Sequence, residues 1–140
     1  MDLRKWDARF LALTEDVASW SKDSKTQVGC TIVHSNRRHW ASGYNGYPAG
    51  IDDDCDSLRR DTDTIHSEVN ALANLTFSPE GATVYVTKFP CRPCATSLIA
   101  NRVARIVAPE PDSSSRWLES QTQALELLQK AKVEITIWTK

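Results

Sequence analysis

Two short segments carry residues that could hold a metal ion and move a proton. Pro90-Cys91-Arg92-Pro93-Cys94 places two thiols three residues apart, and His66-Ser67-Glu68 places an imidazole two residues before a carboxylate. Thiolates and imidazole are the preferred ligands of zinc. At that spacing two thiolates on one helical entry turn can reach one ion. His66 begins the preceding helix, and helix N-termini favour thiolates and other anions. Three protein ligands leave a fourth position for water, whereas a closed structural site uses four. Glu68 is close enough in sequence to His66 to reach such a water and shuttle its proton.

Each segment alone has a plainer reading. A single Cys-x-x-Cys is also a redox pair or half of a four-ligand structural zinc site, and a single His-x-Glu is mostly chance. Cys30 falls in a short apolar strand and Cys55 in a long loop, and either could supply a fourth ligand. Glu68 argues against a closed site, which has no use for an acid there.

The surrounding elements must bring the two segments together. Residues 2–20 carry Leu3, Trp6, Phe10, Leu13, Val17 and Trp20 at helical steps of three and four. Residues 28–33 and 39–44 read as a hairpin with Asn36-Arg37-Arg38 at its turn. From Gly43 to about residue 65 there is no periodicity, a length that is usually functional or mobile. Residues 66–75 form a helix, 83–88 a strand, 90–101 a helix, 103–108 a buried strand, 117–131 an amphipathic helix and 133–138 a closing strand. The order α-β-β-α-β-α-β-α-β implies parallel crossovers in the second half and helices on both faces of one sheet.

Composition narrows the partners. The chain has 140 residues, which fits a single domain, with 17 Lys plus Arg against 18 Asp plus Glu. Near-neutrality gives no bulk attraction to nucleic acid or an anionic membrane, so any phosphate must be held by a local cluster. No apolar run approaches the ~20 residues of a membrane span. The N-terminus is charged throughout, without a signal-peptide core. Four cysteines in such a chain suggest metal or catalysis before disulfides.

H-x-E…P-C-x-x-C, the pattern these segments form, is the signature of zinc nucleobase deaminases. With SKDSKTQVGCTIV (21–33), GYNGYPAG (43–50), HSEVNA (66–71) and TVYVTKFPCRPC (83–94), nearly the whole chain resembles the deoxycytidylate (dCMP) deaminase family. The resemblance implies a cytidine deaminase-like α/β fold, a three-layer α-β-α sandwich on a five-stranded mixed sheet, as one catalytic domain over residues 1–140. It implies one zinc per chain on His66, Cys91 and Cys94, with Glu68 as the proton shuttle that converts dCMP and water into dUMP and ammonia. Val28 and Gly29 would border the base and Asn45 the sugar hydroxyl, while Thr26 and Gln27 line the pocket. Ser21, Lys22 and Lys25 would supply positive charge for the 5′-phosphate.

The family often carries a regulatory nucleotide site between subunits of a homo-hexamer, with dCTP and Mg²⁺ activating and dTTP inhibiting. Lys25, Gly43, Tyr44, Asn45, Gly46, Tyr47 and Pro48 match that site by resemblance. Asp52-Asp53-Asp54 would be a magnesium environment or a solvated loop. The implied role is thymidylate supply in the cytoplasm, of the host if the chain is viral, with no nucleic-acid or membrane partner. Three features depart from the family pattern. Ser67 stands where Ala is usual, Ser24 replaces a common Pro, and residues 108–112 lack family landmarks. His34, His39, Cys30 and Cys55 show no spacing for a second zinc. Two other readings remain open: a zinc deaminase for cytidine or for adenosine in tRNA, and a non-catalytic structural zinc protein.

Overall fold

The computed structural model describes residues 3–139; Asp2 and the side chain of Leu3, at the start of the expected first helix, lie outside the described residues. The elements are α1 (Leu3–Ala18), β1 (Gly29–Val33), β2 (Trp40–Tyr44), α2 (Arg60–Asp63), α3 (Ser67–Ala73), β3 (Thr83–Val86), α4 (Arg92–Ala100), β4 (Arg105–Ala108), α5 (Leu118–Lys130) and β5 (Glu134–Ile137). The expected order holds, with one addition. The stretch without periodicity contains the single turn α2, and Gly46 pairs with Ile65 to close the loop between them. Val28 and Trp117, expected inside a strand and a helix, stand one residue before β1 and α5.

The strands form one mixed sheet in the order β2-β1-β3-β4-β5. β1 pairs antiparallel with β2 and β3, while β3, β4 and β5 run parallel. Alternation along the strands divides the core, because successive side chains leave opposite faces. On one face Ile32, Val84 and Ile106 meet Ala71 of α3, Leu98 of α4 and Leu128 of α5, all fully buried. On the other, Val33, Tyr85 and Val107 meet Phe10 and Leu11 of α1. Helices on both faces give the three-layer α-β-α sandwich. No described helix is long and apolar enough to cross a membrane.

Two consequences position the site. β1 and β3 are neighbours although 49 residues separate Val33 from Thr83, and this adjacency brings the end of β3 beside the start of β1. α3 lies against β1 and β2, and α4 follows β3 after Thr87-Lys88-Phe89-Pro90-Cys91. Both helices therefore begin at the same edge of the sheet.

Candidate metal centre

His66 and Cys91 occupy equivalent places in consecutive elements. Each is the N-cap of its helix, His66 of α3 and Cys91 of α4, with extended backbone (φ −70°, ψ 153° and φ −74°, ψ 169°). Neither side chain caps its own helix, so both are free to turn toward a common point. Pro93 fits the first turn of α4, where its missing N–H breaks no helical bond. It is followed by Cys94, buried beneath the turn.

The imidazole Nδ1 of His66 lies 3.4 Å from Cys91 Sγ and 3.3 Å from Cys94 Sγ. All three ligand atoms fall within 4.8 Å of one another. Two thiols and an imidazole converging at that separation are the donor set of a zinc site, and three is the count that leaves a position open. The residues fit the metal.

Electrostatics agree with metal ligation. The Cys91 thiol is pushed down to about 4 by its hydrogen bond with Cys94, burial opposing and His66 assisting. The same contact and burial push Cys94 up. The hydrogen bond to Cys91 holds His66 above the ordinary histidine value, against burial. Zinc ligation takes thiolates and a neutral imidazole, so a divalent ion bound here would displace the protons these groups share.

Glu68 is 4% exposed, and burial pushes its carboxyl up. The neighbouring Ser67 hydroxyl donates to its Oε1 at 2.6 Å, which opposes that shift. A carboxyl that is buried, held in one orientation and easily protonated is suited to shuttling a proton. Glu68 and Ser67 line a cavity beside His66 and Cys91, closed on other sides by Phe89 and Trp117. The Trp117 ring stands edge-on to His66 at 6.0 Å.

The structure brings Thr26, Val28 and Asn45 to the same cavity. Asn45 is buried and braces the entry loop. Its Oδ1 accepts from the Val28 N–H at 2.9 Å and its amide donates to the Thr26 carbonyl at 2.8 Å, leaving a second amide hydrogen. Gly29 is buried at the start of β1 and does not line the cavity; its N–H bonds to Thr87 Oγ1 at 3.1 Å. Gln27 and Lys25 line an adjoining groove that runs toward residues 109–117. Ser21 and Lys22 stand away from the metal-side cavity. The Ser21 hydroxyl is buried and donates to the Asn45 carbonyl at 2.8 Å, and the exposed Lys22 pairs with Asp53 at 3.0 Å.

Gly43, Tyr44, Gly46 and Tyr47 line a separate groove with Lys22, Asp53 and Asn70; Asn45 borders both spaces. Pro48 adjoins that groove in sequence, and its carbonyl accepts from the Ile51 N–H. Cys30 is fully buried in the core, and Cys55 contacts Ser57 at 3.1 Å in the loop.

Several cavity residues carry no site role in the sequence reading, among them Arg60, Asp61, Lys88, Phe89, Arg116 and Trp117. Arg60 and Asp61 fall in the stretch without periodicity. Trp117 reads as the start of a helix, and Arg116 falls just before it in no assigned element. Lys88 was one residue of a strand.

Comparison with known proteins gives a consistent result. The family model described as the cytidine and deoxycytidylate deaminase zinc-binding region matches residues 4–110. An uncharacterised deaminase of Aliivibrio fischeri is 38% identical over 139 residues, covering 96% of this chain and 94% of the relative. Human deoxycytidylate deaminase is 33% identical over 116 residues, covering 76% of this chain. The chain spans 65% of the human enzyme's length. The solved structure of dCMP deaminase from cyanophage S-TIM5, in complex with dCMP and dUMP, superposes with a TM-score of 0.79 at 22% identity. It covers 96% of this chain and 97% of its own, a likeness of fold.

Proposed function

The chain belongs to the cytidine and deoxycytidylate deaminase zinc-binding family, and on that premise we propose that it hydrolyses dCMP to dUMP and ammonia. The observation that carries this reading is the convergence of His66 Nδ1, Cys91 Sγ and Cys94 Sγ beside buried Glu68. The names of the human and cyanophage relatives support the choice of substrate. His66, Cys91 and Cys94 would hold one zinc per chain. Zinc bound there supplies Lewis acidity that brings the pKa of a water down to about 7.

The remaining steps belong to this chain's own side chains. Glu68 takes a proton from the attacking water and delivers it to N3 of the cytosine as the C4–O bond forms. It then passes the second proton to the 4-amino group, and the C4–N bond breaks to release ammonia. Phe89 and Trp117 wall the cavity with apolar surface, which suits a pyrimidine ring and excludes water. Val28 and Gly29 border the base, Thr26 and Gln27 line its approach, and the free amide hydrogen of Asn45 serves the sugar hydroxyl. Ser21 and Lys22 enter this reading through the loop that Asn45 braces.

Regulation is a further part of the proposal. The groove formed by Gly43 to Tyr47, which Pro48 adjoins in sequence, would take dCTP with Mg²⁺ as activator and dTTP as inhibitor; Lys25, which matches that site by resemblance, lines the other groove. The open space beside Gly46 gives it room, and Lys22 and Asp53, paired with each other, are the charged groups on its wall. A homo-hexamer, a cytoplasmic location and a role in thymidylate supply complete the reading.

The test is ammonia release from dCMP by zinc-loaded protein, with deoxycytidine, cytidine and a tRNA adenosine substrate in parallel, and with dCTP or dTTP added. Turnover of dCMP above the others supports the assignment. Preference for cytidine or tRNA overturns it.

A further inference from the structure

Three cations stand at the rim of the metal-side cavity, and two are already neutralised. Arg60 donates to Asp23 from Nε at 3.2 Å and from a terminal nitrogen at 3.0 Å. Arg116 pairs with Asp61 at 2.9 Å. Lys88, the third, forms no salt bridge or hydrogen bond with any described residue. Its side chain is half-buried and lines both the cavity and the adjoining groove.

The groups whose charge it feels are Asp112, Arg116, Arg60 and Cys91. Asp112 is occupied by the backbone N–H and hydroxyl of Ser114, at 3.0 and 2.7 Å. Burial works against the Lys88 ammonium, and both arginines repel it. A desolvated ammonium without a counter-ion is a vacancy for an anion. Its backbone is fixed by the short path Lys88-Phe89-Pro90-Cys91, so an anion on Lys88 is held at a set reach from the metal ligands. Lys25, Glu110, Ser114 and Ser115 line the same groove, and no described carboxylate forms a salt bridge with the Lys88 ammonium.

We propose that Lys88 is the residue by which this site selects 5′-phosphorylated nucleotides over free nucleosides. The inference rests on the dCMP reading above and adds the group that enforces it. Arg60 and Arg116 hold the rim through their carboxylate partners, and Lys88 is the cation lining the metal-side cavity that has none.

The experiment compares wild type, Lys88→Met, Lys88→Gln and Lys88→Arg, all with zinc content measured, on dCMP and deoxycytidine. A charge-assisted contact of ordinary strength makes kcat/KM for dCMP fall about 30-fold more than for deoxycytidine in the Met and Gln variants. The loss appears mainly in KM, and Arg restores most of it. Equal losses on both substrates, or no loss on dCMP, overturn the inference. Calorimetric binding of dUMP and deoxyuridine to the same proteins gives the ratio without turnover. A wild type that turns over neither substrate, yet prefers dUMP in a Lys88-dependent way, sinks the activity reading and keeps this one. A dUMP preference that Lys88→Met leaves intact sinks this one alone.

Discussion

Asp7 of α1 and Arg105 of β4 form a two-point ion pair inside the protein, at 2.9 Å to Oδ1 and 2.6 Å to Oδ2. Asp7 is 2% exposed, and the Tyr85 hydroxyl donates to the same Oδ1 at 2.8 Å. Arg105 also donates to Thr136 Oγ1 from two nitrogens, at 3.1 and 3.0 Å. One carboxylate thus ties α1 to β3 and β4, and through the guanidinium to β5. Removing one partner of a buried pair leaves the other charge uncompensated, which costs about 3–5 kcal/mol. Asp7→Ala is expected to lose about that much in urea unfolding. Adding Arg105→Met should recover part of the loss, because the orphaned charge is gone. A cost under 1 kcal/mol for Asp7→Ala would show that the network contributes little.

Gly43 is needed for close approach rather than for an unusual φ. A Cβ there would overlap the backbone N of Ala71 and stand 2.7 Å from the Asn70 carbonyl carbon, both in α3. Backbone in a packed helix cannot step aside as a flexible side chain can. The helix that would be displaced carries Glu68 and follows His66. Gly43→Ala is expected to cost about 1–3 kcal/mol, the usual range for overpacking, and to lower turnover as well. Gly46→Ala is the control, since nothing lies within 4 Å of its added Cβ. Similar unfolding midpoints for the two variants would contradict the packing argument.

The ligands were readable because their positions are set locally. His66 and Cys91 are helix N-caps, and the start of a helix is written in a few adjacent residues. Cys94 follows from the turn that Cys91 begins. The stripe through Trp6, Phe10 and Val17 likewise places α1, and the short apolar runs in residues 28–33 and 83–88 place β1 and β3, though not their pairing. The cavity's outer wall depends on distant contacts instead. Arg60 meets Asp23 across 37 residues, and Arg116 meets Asp61 across 55. No period or cap in the intervening chain encodes either meeting. Asn45 illustrates the boundary: its motif stood out, but its bonds to Val28 and Thr26 exist only after the loop folds back.

Glu68 and Cys94 are expected to fail in different ways. Glu68→Gln keeps the side chain's shape and its place beside Ser67 but cannot carry the proton. Turnover should fall about 10²–10⁴-fold, the usual weight of general acid–base catalysis, with zinc still bound at one per chain. Cys94→Ser removes a thiolate ligand, so zinc content and activity should fall together, and chelation of the wild type should reproduce it. Elemental analysis alongside ammonia release separates the two cases. Loss of zinc from Glu68→Gln would make Glu68 a ligand rather than a proton carrier.

Asp23 gives the chain an acid-sensitive tether. Its carboxylate is 7% exposed, and burial alone would raise its pKa. The hydrogen bond from Arg60 and those from the backbone N–H groups of Thr26 and Lys25, at 3.0 and 2.8 Å, overcome this and lower it below the ordinary 3.8. A carboxyl with a lowered folded pKa stabilises the native state above its unfolded pKa, and that contribution is lost as pH falls through the folded value. The tether joins the entry loop, residues 21–26, to α2 at the cavity rim. Thermal midpoints of wild type and Asp23→Asn should therefore differ most above about pH 4 and converge below it. Zinc release in acid acts on both proteins, so the difference between the curves isolates Asp23. Curves that stay parallel from pH 6 to pH 3 would mean that the Arg60–Asp23 contact adds no net stability.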